Sequence, residues 1–547
     1  MRIILSALCL LGLLAGTGFA STLPESVTAA LARAHIPLSS VGIVVRQVDA
    51  DKPVVSLNAE RPMNPASTMK LLTTYAALET LGPAYRWKTE AYLDGRLEDG
   101  VLQGNLVFKG YGDPKLTVEE FWMWLRELRQ RGLREIRGDV VLDHSYFEAV
   151  DQDPAEFDHD PTRAYNVGTN ALLLNFNALH LHLIPDGRAT TALLEPALAG
   201  YTVRNRITTS AGLRCNGEDD YKARLDGHDI VLEGSIPANC GETDAYFSLL
   251  PQDEYFFAVF GGLWQELGGT LQGKLRSGTA PAGQAPFATY VSPPLSEVIR
   301  DINKFSNNIM ARQVFLTLGA AGGADAARSA DAFSNNEDRA VAQAYGEATP
   351  PAGQPGGDII PQAVSAPLPV EATSAKAASP DAGPADGRGA GGNASASDTA
   401  GGAGIQPAAN IARSISAMQH WLKAENLQFP ELVMENGAGL SRKARVSAQH
   451  LAELLQRATG SPFFPELEAS LPILGLDGTV KKRLKDSDIA GYAHLKTGSL
   501  DGVKSLAGYV KANSGKQWIV VFIVNHPNAA LAQPAQDALI AWLQTGH

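Results

Sequence analysis

The stretch Asn64–Leu81, NPASTMKLLTTYAALETL, decides the reading of this chain. Leu71, Leu72, Tyr75, Leu78 and Leu81 recur at helical spacing and Gly82-Pro83 ends the pattern, so a helix is expected from Ser67 to Leu81. Residues three apart share a helix face, which sets Lys70 beside Ser67 near the helix start. A serine hydroxyl is a poor nucleophile until a neighbour takes its proton, and a lysine can do so if burial or another cation lowers its pKa. The first turn also supplies backbone N–H groups suited to a developing oxyanion. Alone, such a serine–lysine pair is common in ordinary helices, and its meaning rests on the rest of the chain.

Two further motifs follow. Ser306-Asn307-Asn308 opens an apolar helical pattern, with helix expected across Leu295–Leu318. A serine and an asparagine two apart can relay a proton and bind an amide. The same tetrapeptide, Phe-Ser-Asn-Asn, recurs at Phe333–Asn336 with no apolar helix to hold it, so Ser334 is set aside. Lys496-Thr497-Gly498-Ser499 ends an expected strand that begins at Ala493. Its lysine and two hydroxyls suit a carboxylate, and Gly498 lets the backbone come close to a bound peptide.

The surrounding sequence is organised as an interrupted unit. A short amphipathic helix is expected over 24–36, then a hairpin of Val41–Val48 and Val54–Asn58. From Trp87 to Thr289 short strands alternate with Gly, Asp and Asn turns, broken by a helix at Thr117–Gly132; Asn175–Ile184 and Asp229–Glu233 read as strands. Residues 320–408 are dominated by Ala, Gly, Pro, Ser and Asp and are expected to be disordered. A loop of that size costs its host only about 2 kcal/mol more than a short one. A helix at Ile411–Leu422, three strands at Ala493–Thr497, Ser505–Val510 and Trp518–Val524, and a helix at Leu531–Leu543 complete the pattern.

Length and composition set limits. The 547 residues allow roughly three or four domains. The net charge of −12 argues against a nucleic-acid partner, which requires a basic face. Arg2, the apolar run Ile3–Leu14 and the small residues ending at Ala20 have the layout of a signal peptide, residues 1–20, so the chain is expected to be exported and periplasmic. Cys9 lies within that segment, which leaves Cys215 and Cys240 as a pair in an oxidising compartment. A disulfide is the natural reading and a loop of that length is worth about 3 kcal/mol. The final helix is apolar but lacks lysine and arginine, so core packing rather than a membrane anchor is expected.

Taken together and in this order, the three motifs resemble those of penicillin-binding proteins and class A β-lactamases. The chain is most similar to the class C low-molecular-mass penicillin-binding proteins, the D-alanyl-D-alanine carboxypeptidase/endopeptidase family. Glu435-Asn436-Gly437-Ala438-Gly439-Leu440-Ser441-Arg442 resembles a family segment, with Ala438 where serine is commoner. Leu474–Thr479 with Arg483, Gly110–Pro114, and Gly138-Asp139 to Phe147 also match. The long interval from Lys70 to Ser306 separates this group from β-lactamases, and no E-x-x-L-N segment lies between Asn308 and Lys496.

The resemblance implies an α+β fold. A transpeptidase-like catalytic domain of an antiparallel sheet with helices would comprise 21–86 and 290–547. Strand-rich domains, two of them and one nested in the other, would be inserted at 87–289. It implies a serine-type DD-peptidase that removes terminal D-alanine or cuts D-alanyl-diaminopimelate crosslinks through an acyl-enzyme. Ser67 would attack and Lys70 would take its proton. Ser306 would protonate the leaving amine, Asn308 would hold the substrate amide and Lys70, and Thr497 and Ser499 would bind the terminal carboxylate. The N–H groups of Ser67 and Ser499 would form the oxyanion hole. Asp143 matches the family's acidic position facing the diaminopimelate side chain; a surface turn acid is the competing reading.

Peptidoglycan peptides would be substrates and β-lactams covalent inhibitors, with no cofactor or metal required. A β-lactamase or esterase on the same fold, or a low-turnover penicillin-binding scaffold, are the alternatives. His144 and His159 sit among acids in a solvated loop. His180 and His182 share one face of a strand, and neither pair is assigned a metal.

Overall fold

The computed structural model describes residues 23–149, 153–186, 189–212, 214–215, 217–321 and 408–545. The expected signal peptide, Ser334 and nearly all of the expected low-complexity insert lie outside them.

The strand Gln517–Asn525, QWIVVFIVN, is apolar almost throughout because it is central and covered on both faces. It pairs antiparallel with Val503–Lys511 on one side and with Val41–Gln47 on the other, so strands from the two ends of the chain meet. Ala493–Leu500 and Val55–Leu57 form the two edges of this five-stranded antiparallel sheet. Successive side chains alternate between faces. Val44, Tyr509, Ile519 and Val521 enter a core built with the helices Lys70–Leu81, Leu295–Lys304, Asn308–Ala321 and Ala448–Thr459. Ile43, Val45, Leu506, Val520 and Phe522 enter a second core with Glu25–Arg33 and Gln533–Gln544. Each such buried side chain contributes about 1.5–3 kcal/mol of transfer free energy, so the sheet is a rigid platform.

The chain departs from this platform at Trp87 and returns at Ser292, and the two residues are stapled: Trp87 N–H donates to Ser292 Oγ at 2.9 Å and Ser292 N–H to the Trp87 carbonyl at 2.9 Å. Between them the strands Lys88–Glu98 and Val101–Gly110 form the centre of a seven-stranded sheet, and Ala288–Val291 closes back on Lys88–Glu98. Leu179–Pro185, Thr190–Glu195 and Thr243–Phe247 form one three-stranded sheet; Thr202–Ser210, Tyr221–Asp226 and Asp229–Pro237 form another. Helices Val118–Gln130 and Gln252–Glu266 pack Phe121, Trp124, Phe256 and Phe260 around Phe108. Cys215 and Cys240 are disulfide-bonded.

Three local expectations are corrected. The helical pattern expected to start at Ser67 begins as a 3-10 turn, Ala66–Met69, and becomes α-helical only at Lys70. The run Leu295–Leu318 is two helices, broken at Phe305–Asn307 where Ser306 adopts a φ of 57°. The expected strand Asn175–Ile184 starts with three left-handed residues, Asn175–Asn177, and is extended only over Leu179–Pro185. In that turn the Asn177 side chain donates to the Leu250 carbonyl, a tertiary partner that outweighs the extended preference.

Candidate active site

Ser67 is held by a turn pinned to the sheet. Asn64 Oδ1 accepts from Ala66 N–H at 2.9 Å, while Asn64 N–H donates to Asn525 Oδ1 at 2.8 Å. The Pro65 carbonyl accepts from Ser505 Oγ at 2.6 Å and from Thr68 Oγ1 at 2.7 Å. In 3-10 geometry residues three apart eclipse one another, which sets Lys70 directly against Ser67. Their Nζ and Oγ atoms are 3.0 Å apart.

The remaining partners of Lys70 decide its chemistry. Nζ is 2.6 Å from Asn308 Oδ1 and 2.7 Å from the Ala438 carbonyl oxygen. Both are acceptors only. A neutral amine has two N–H bonds and one lone pair; the two bonds satisfy Asn308 and Ala438, and the lone pair is left facing the Ser67 hydroxyl. The amine is fully buried. Burial, followed by the like charges of Lys496 and Arg312, holds it well below the ordinary lysine range. Geometry and electrostatics therefore both favour a base.

Lys496 is likewise fully buried, and burial lowers its pKa to about 7. Its Nζ donates to Ser306 Oγ at 2.9 Å and to the Thr497 carbonyl at 2.7 Å. Ser306 thus stands on Lys496, held there by its left-handed backbone, a conformation that costs a serine free energy and commonly marks a functional constraint. Asn307 Oδ1 accepts from Met310 N–H at 3.0 Å, which caps the helix that carries Asn308 and Arg312.

Ala493–Leu500 is an edge strand of the five-stranded sheet. Gly498 lies so close to the serine turn that a Cβ there would meet Ser505 Oγ at 2.2 Å, the Pro65 carbonyl at 2.7 Å and Ser67 N at 2.8 Å. Thr497 Oγ1 is 2.7 Å from Thr479 Oγ1, and Ser499 is exposed.

The structure thus brings Ser67, Lys70, Ser306, Asn308, Lys496 and Gly498 together, with Thr497 and Ser499 along the adjoining strand. No hydrogen bond or ion pair among the described residues links Asp143 to this group. Its carboxylate is fully buried, accepting from Ser145 N–H at 2.9 Å and Ala280 N–H at 2.8 Å, with Lys109 Nζ at 3.5 Å. The surface-turn reading of Asp143 is therefore corrected: burial opposes the charge, but the donors from Ser145 and Ala280 and the cation of Lys109 outweigh it and hold the carboxyl below its ordinary pKa inside the fold.

The sequence did not reveal the part played by the loop Glu435–Ser441. Asn436 Oδ1 accepts from Ala438 and Gly439 N–H at 3.1 and 3.2 Å, and Thr73 Oγ1 donates to the Gly437 carbonyl at 2.6 Å. Gly439 has a φ of 76°, and a Cβ there would lie 1.9 Å from the Ala66 carbonyl oxygen. The loop clasps the serine turn and delivers the Ala438 carbonyl to Lys70. One group of metal-ligating side chains also comes together among the described residues, His180, His182 and Asp244, on a different sheet.

Comparison with known proteins places the chain in a family and shows a similar fold. The chain matches the profile of the D-Ala-D-Ala carboxypeptidase 3 (S13) family over residues 23–341 and 399–546. It is 22% identical to the D-alanyl-D-alanine carboxypeptidase DacB of Haemophilus influenzae, covering 89% of this chain and 85% of that protein. It is 26% identical to a D-alanyl-D-alanine carboxypeptidase of an Actinomadura species, covering 94% and 83%. Its fold is similar to the crystal structure of penicillin binding protein 4 from Haemophilus influenzae, with a TM-score of 0.65, 21% identity and coverage of 95% and 99%.

Proposed function

The chain belongs to the D-Ala-D-Ala carboxypeptidase 3 (S13) family, and from that premise we propose that it is a serine-type DD-peptidase of peptidoglycan. It removes terminal D-alanine from stem peptides or cuts crosslinks that end in a D-centre. The observation that carries the mechanism is the lone pair of Lys70, left facing Ser67 by two acceptor-only partners.

In this reading Ser67 Oγ gives its proton to Lys70 Nζ and bonds to the carbonyl carbon of the penultimate D-alanine. The charge that develops on the carbonyl oxygen is met by the N–H groups of Ser67 and Ser499, each worth roughly 2.7–4 kcal/mol in the transition state. As the C–N bond breaks, Ser306 passes its proton to the leaving amine and takes in exchange the one that Lys70 received from Ser67, so Lys70 is neutral again and Lys496 keeps its charge. The terminal carboxylate lies against Lys496, Thr497 and Ser499, and the substrate backbone runs along the exposed edge strand as an added strand. Asn308 holds the substrate amide through its side-chain N–H. Water then attacks the acyl carbon, giving its proton to the neutral Lys70, which passes it to Ser67 Oγ as the acyl C–O bond breaks.

The same hydroxyl opens a β-lactam ring, so penicillins are slow-leaving acylating ligands. The substrate is outside the cytoplasm, in keeping with the export signal expected at residues 1–20. No described helix is long and apolar enough to cross a membrane. Asp143 is buried against Lys109, Ser145 and Ala280, and the resemblance implies that it faces the substrate's diaminopimelate side chain.

Digestion of purified pentapeptide and crosslinked dimeric muropeptides tests the proposal, with Ser67→Ala alongside. Loss of terminal D-alanine or conversion of dimers to monomers, abolished in the variant, and a penicillin adduct mapped to Ser67 are expected. Penicillin binding without turnover of any muropeptide would make the chain a scaffold. Fast penicillin hydrolysis would make it a β-lactamase.

A further inference from the structure

His180 and His182 occupy positions i and i+2 of Leu179–Pro185, so both imidazoles stand on one face of their sheet. On the neighbouring strand Asp244 is the direct cross-strand partner of His182. His180 Nε2 and His182 Nδ1 each lie 2.8 Å from Asp244 Oδ1. Two nitrogens and one carboxylate oxygen thus converge on a single point, from side chains anchored on two rigid, hydrogen-bonded strands.

We infer that His180, His182 and Asp244 form a binding site for a first-row divalent cation of the zinc type. Such ions take imidazole nitrogen and carboxylate oxygen at about 2.0–2.2 Å, so tetrahedral ligand atoms stand about 3.3–3.5 Å apart. Lengthening the two 2.8 Å edges to Asp244 by about half an ångström, a small rotation of each side chain, brings them to that spacing. Two features hold the rings for ligation. Tyr246 stacks on His180, with centroids 4.8 Å apart and planes inclined by 15°. Glu242 Oε2 lies 3.6 Å from His182 Nε2, the nitrogen that would not touch the metal, where an outer carboxylate ordinarily orients a ligating imidazole. The donor set suits zinc, nickel or copper rather than calcium or magnesium, which prefer all-oxygen cages. Three protein ligands leave a fourth position for water or an exogenous anion. The partly exposed position of both histidines lets an ion enter from solvent.

The ligands stand on a different sheet from Lys496, and the ion needs no part in acyl transfer. Its effect is to tie Thr243–Phe247 to Leu179–Pro185, and a ligand that binds only the folded chain stabilises it. The test uses the whole mature protein, stripped with a chelator and titrated with zinc chloride in a calorimeter. One equivalent is expected to bind, with a rise in Tm. The Kd should rise about a hundredfold or more in His182→Ala and in Asp244→Asn, and roughly tenfold in Glu242→Gln. Penicillin acylation of Ser67 should proceed at the same rate with and without zinc. A zinc-soaked crystal should show its anomalous peak between His180 Nε2, His182 Nδ1 and Asp244. Absence of saturable binding at about 0.1 mM zinc, equal affinity in the wild type and both ligand variants, or a peak elsewhere would overturn the inference.

Discussion

Replacing Asn308 by aspartate changes one atom type at the most sensitive point of the site. The substitution is nearly isosteric and keeps an acceptor 2.6 Å from Lys70 Nζ, so the packing is preserved. It replaces a dipole with a full negative charge. That charge is shared by two oxygens, which places its centre about 4 Å from the amine, and at an effective dielectric of about 20 the attraction is about 4 kcal/mol. All of it stabilises the ammonium form of Lys70, opposing the burial and the cationic neighbours that lower its pKa in the natural site. At about 1.4 kcal/mol per factor of ten, the ratio of ammonium to neutral amine rises by about a thousandfold.

The assay is the rate of acylation by a fluorescent penicillin under single-turnover conditions from pH 6 to 10. The variant should be slower by about a hundred- to a thousandfold at pH 7 and gain about tenfold per pH unit as Lys70 is titrated. Asn308→Ala, which removes an acceptor without adding charge, should lose activity with no such slope. An Asn308→Asp variant as fast as the natural chain, or slow with a flat profile, would refute Lys70 as the base.

Other consequences are open to direct measurement. Because the pKa of Lys496 is lowered to about 7, raising the pH from 6 to 9 removes its positive charge. The KM for peptides with a free terminal carboxylate should rise over that interval, while that for amidated peptides stays level. Lys496→Met removes a buried amine, so it should abolish peptidase activity while raising stability by on the order of 1–2 kcal/mol, read from thermal unfolding. Gly498→Ala forces a methyl group against Ser67 N and Ser505; acylation should fall about a hundredfold while circular dichroism is unchanged. Reduction of the Cys215–Cys240 bond, which spans 25 residues, should cost about 3 kcal/mol in the region around it, seen as a lower midpoint in denaturant, and leave the rate of penicillin acylation intact.

Much of the catalytic centre was legible because side-chain identity and short-range spacing encode it. Three-residue spacing sets Ser67 and Lys70 on one face whether the turn is α or 3-10, so mistaking one for the other left the pair intact. The strand holding Lys496 was readable because its apolar alternation ends at a glycine and two hydroxyls. The break at Ser306 was not, since Phe305–Asn307 carries neither proline nor glycine; what accompanies it is a tertiary hydrogen bond from Lys496 to the serine hydroxyl. Nor does a backbone carbonyl have a sequence signature, and the third partner of Lys70 is one, at Ala438. Arg312 sits in an apolar helical pattern, and only its burial in the fold makes it a source of positive potential at Lys70.

What the sequence determined by itself is the local chemistry: a nucleophile beside an amine, a serine–asparagine pair, a lysine at a strand end, and two cysteines free to join. What only the tertiary structure decided is the protonation state and aim of those groups. Lys70 meets Asn308 across a separation of 238 residues and Ala438 across 368. Burial and the direction of a lone pair arise from contacts between segments that far apart, and no local pattern of residues records them.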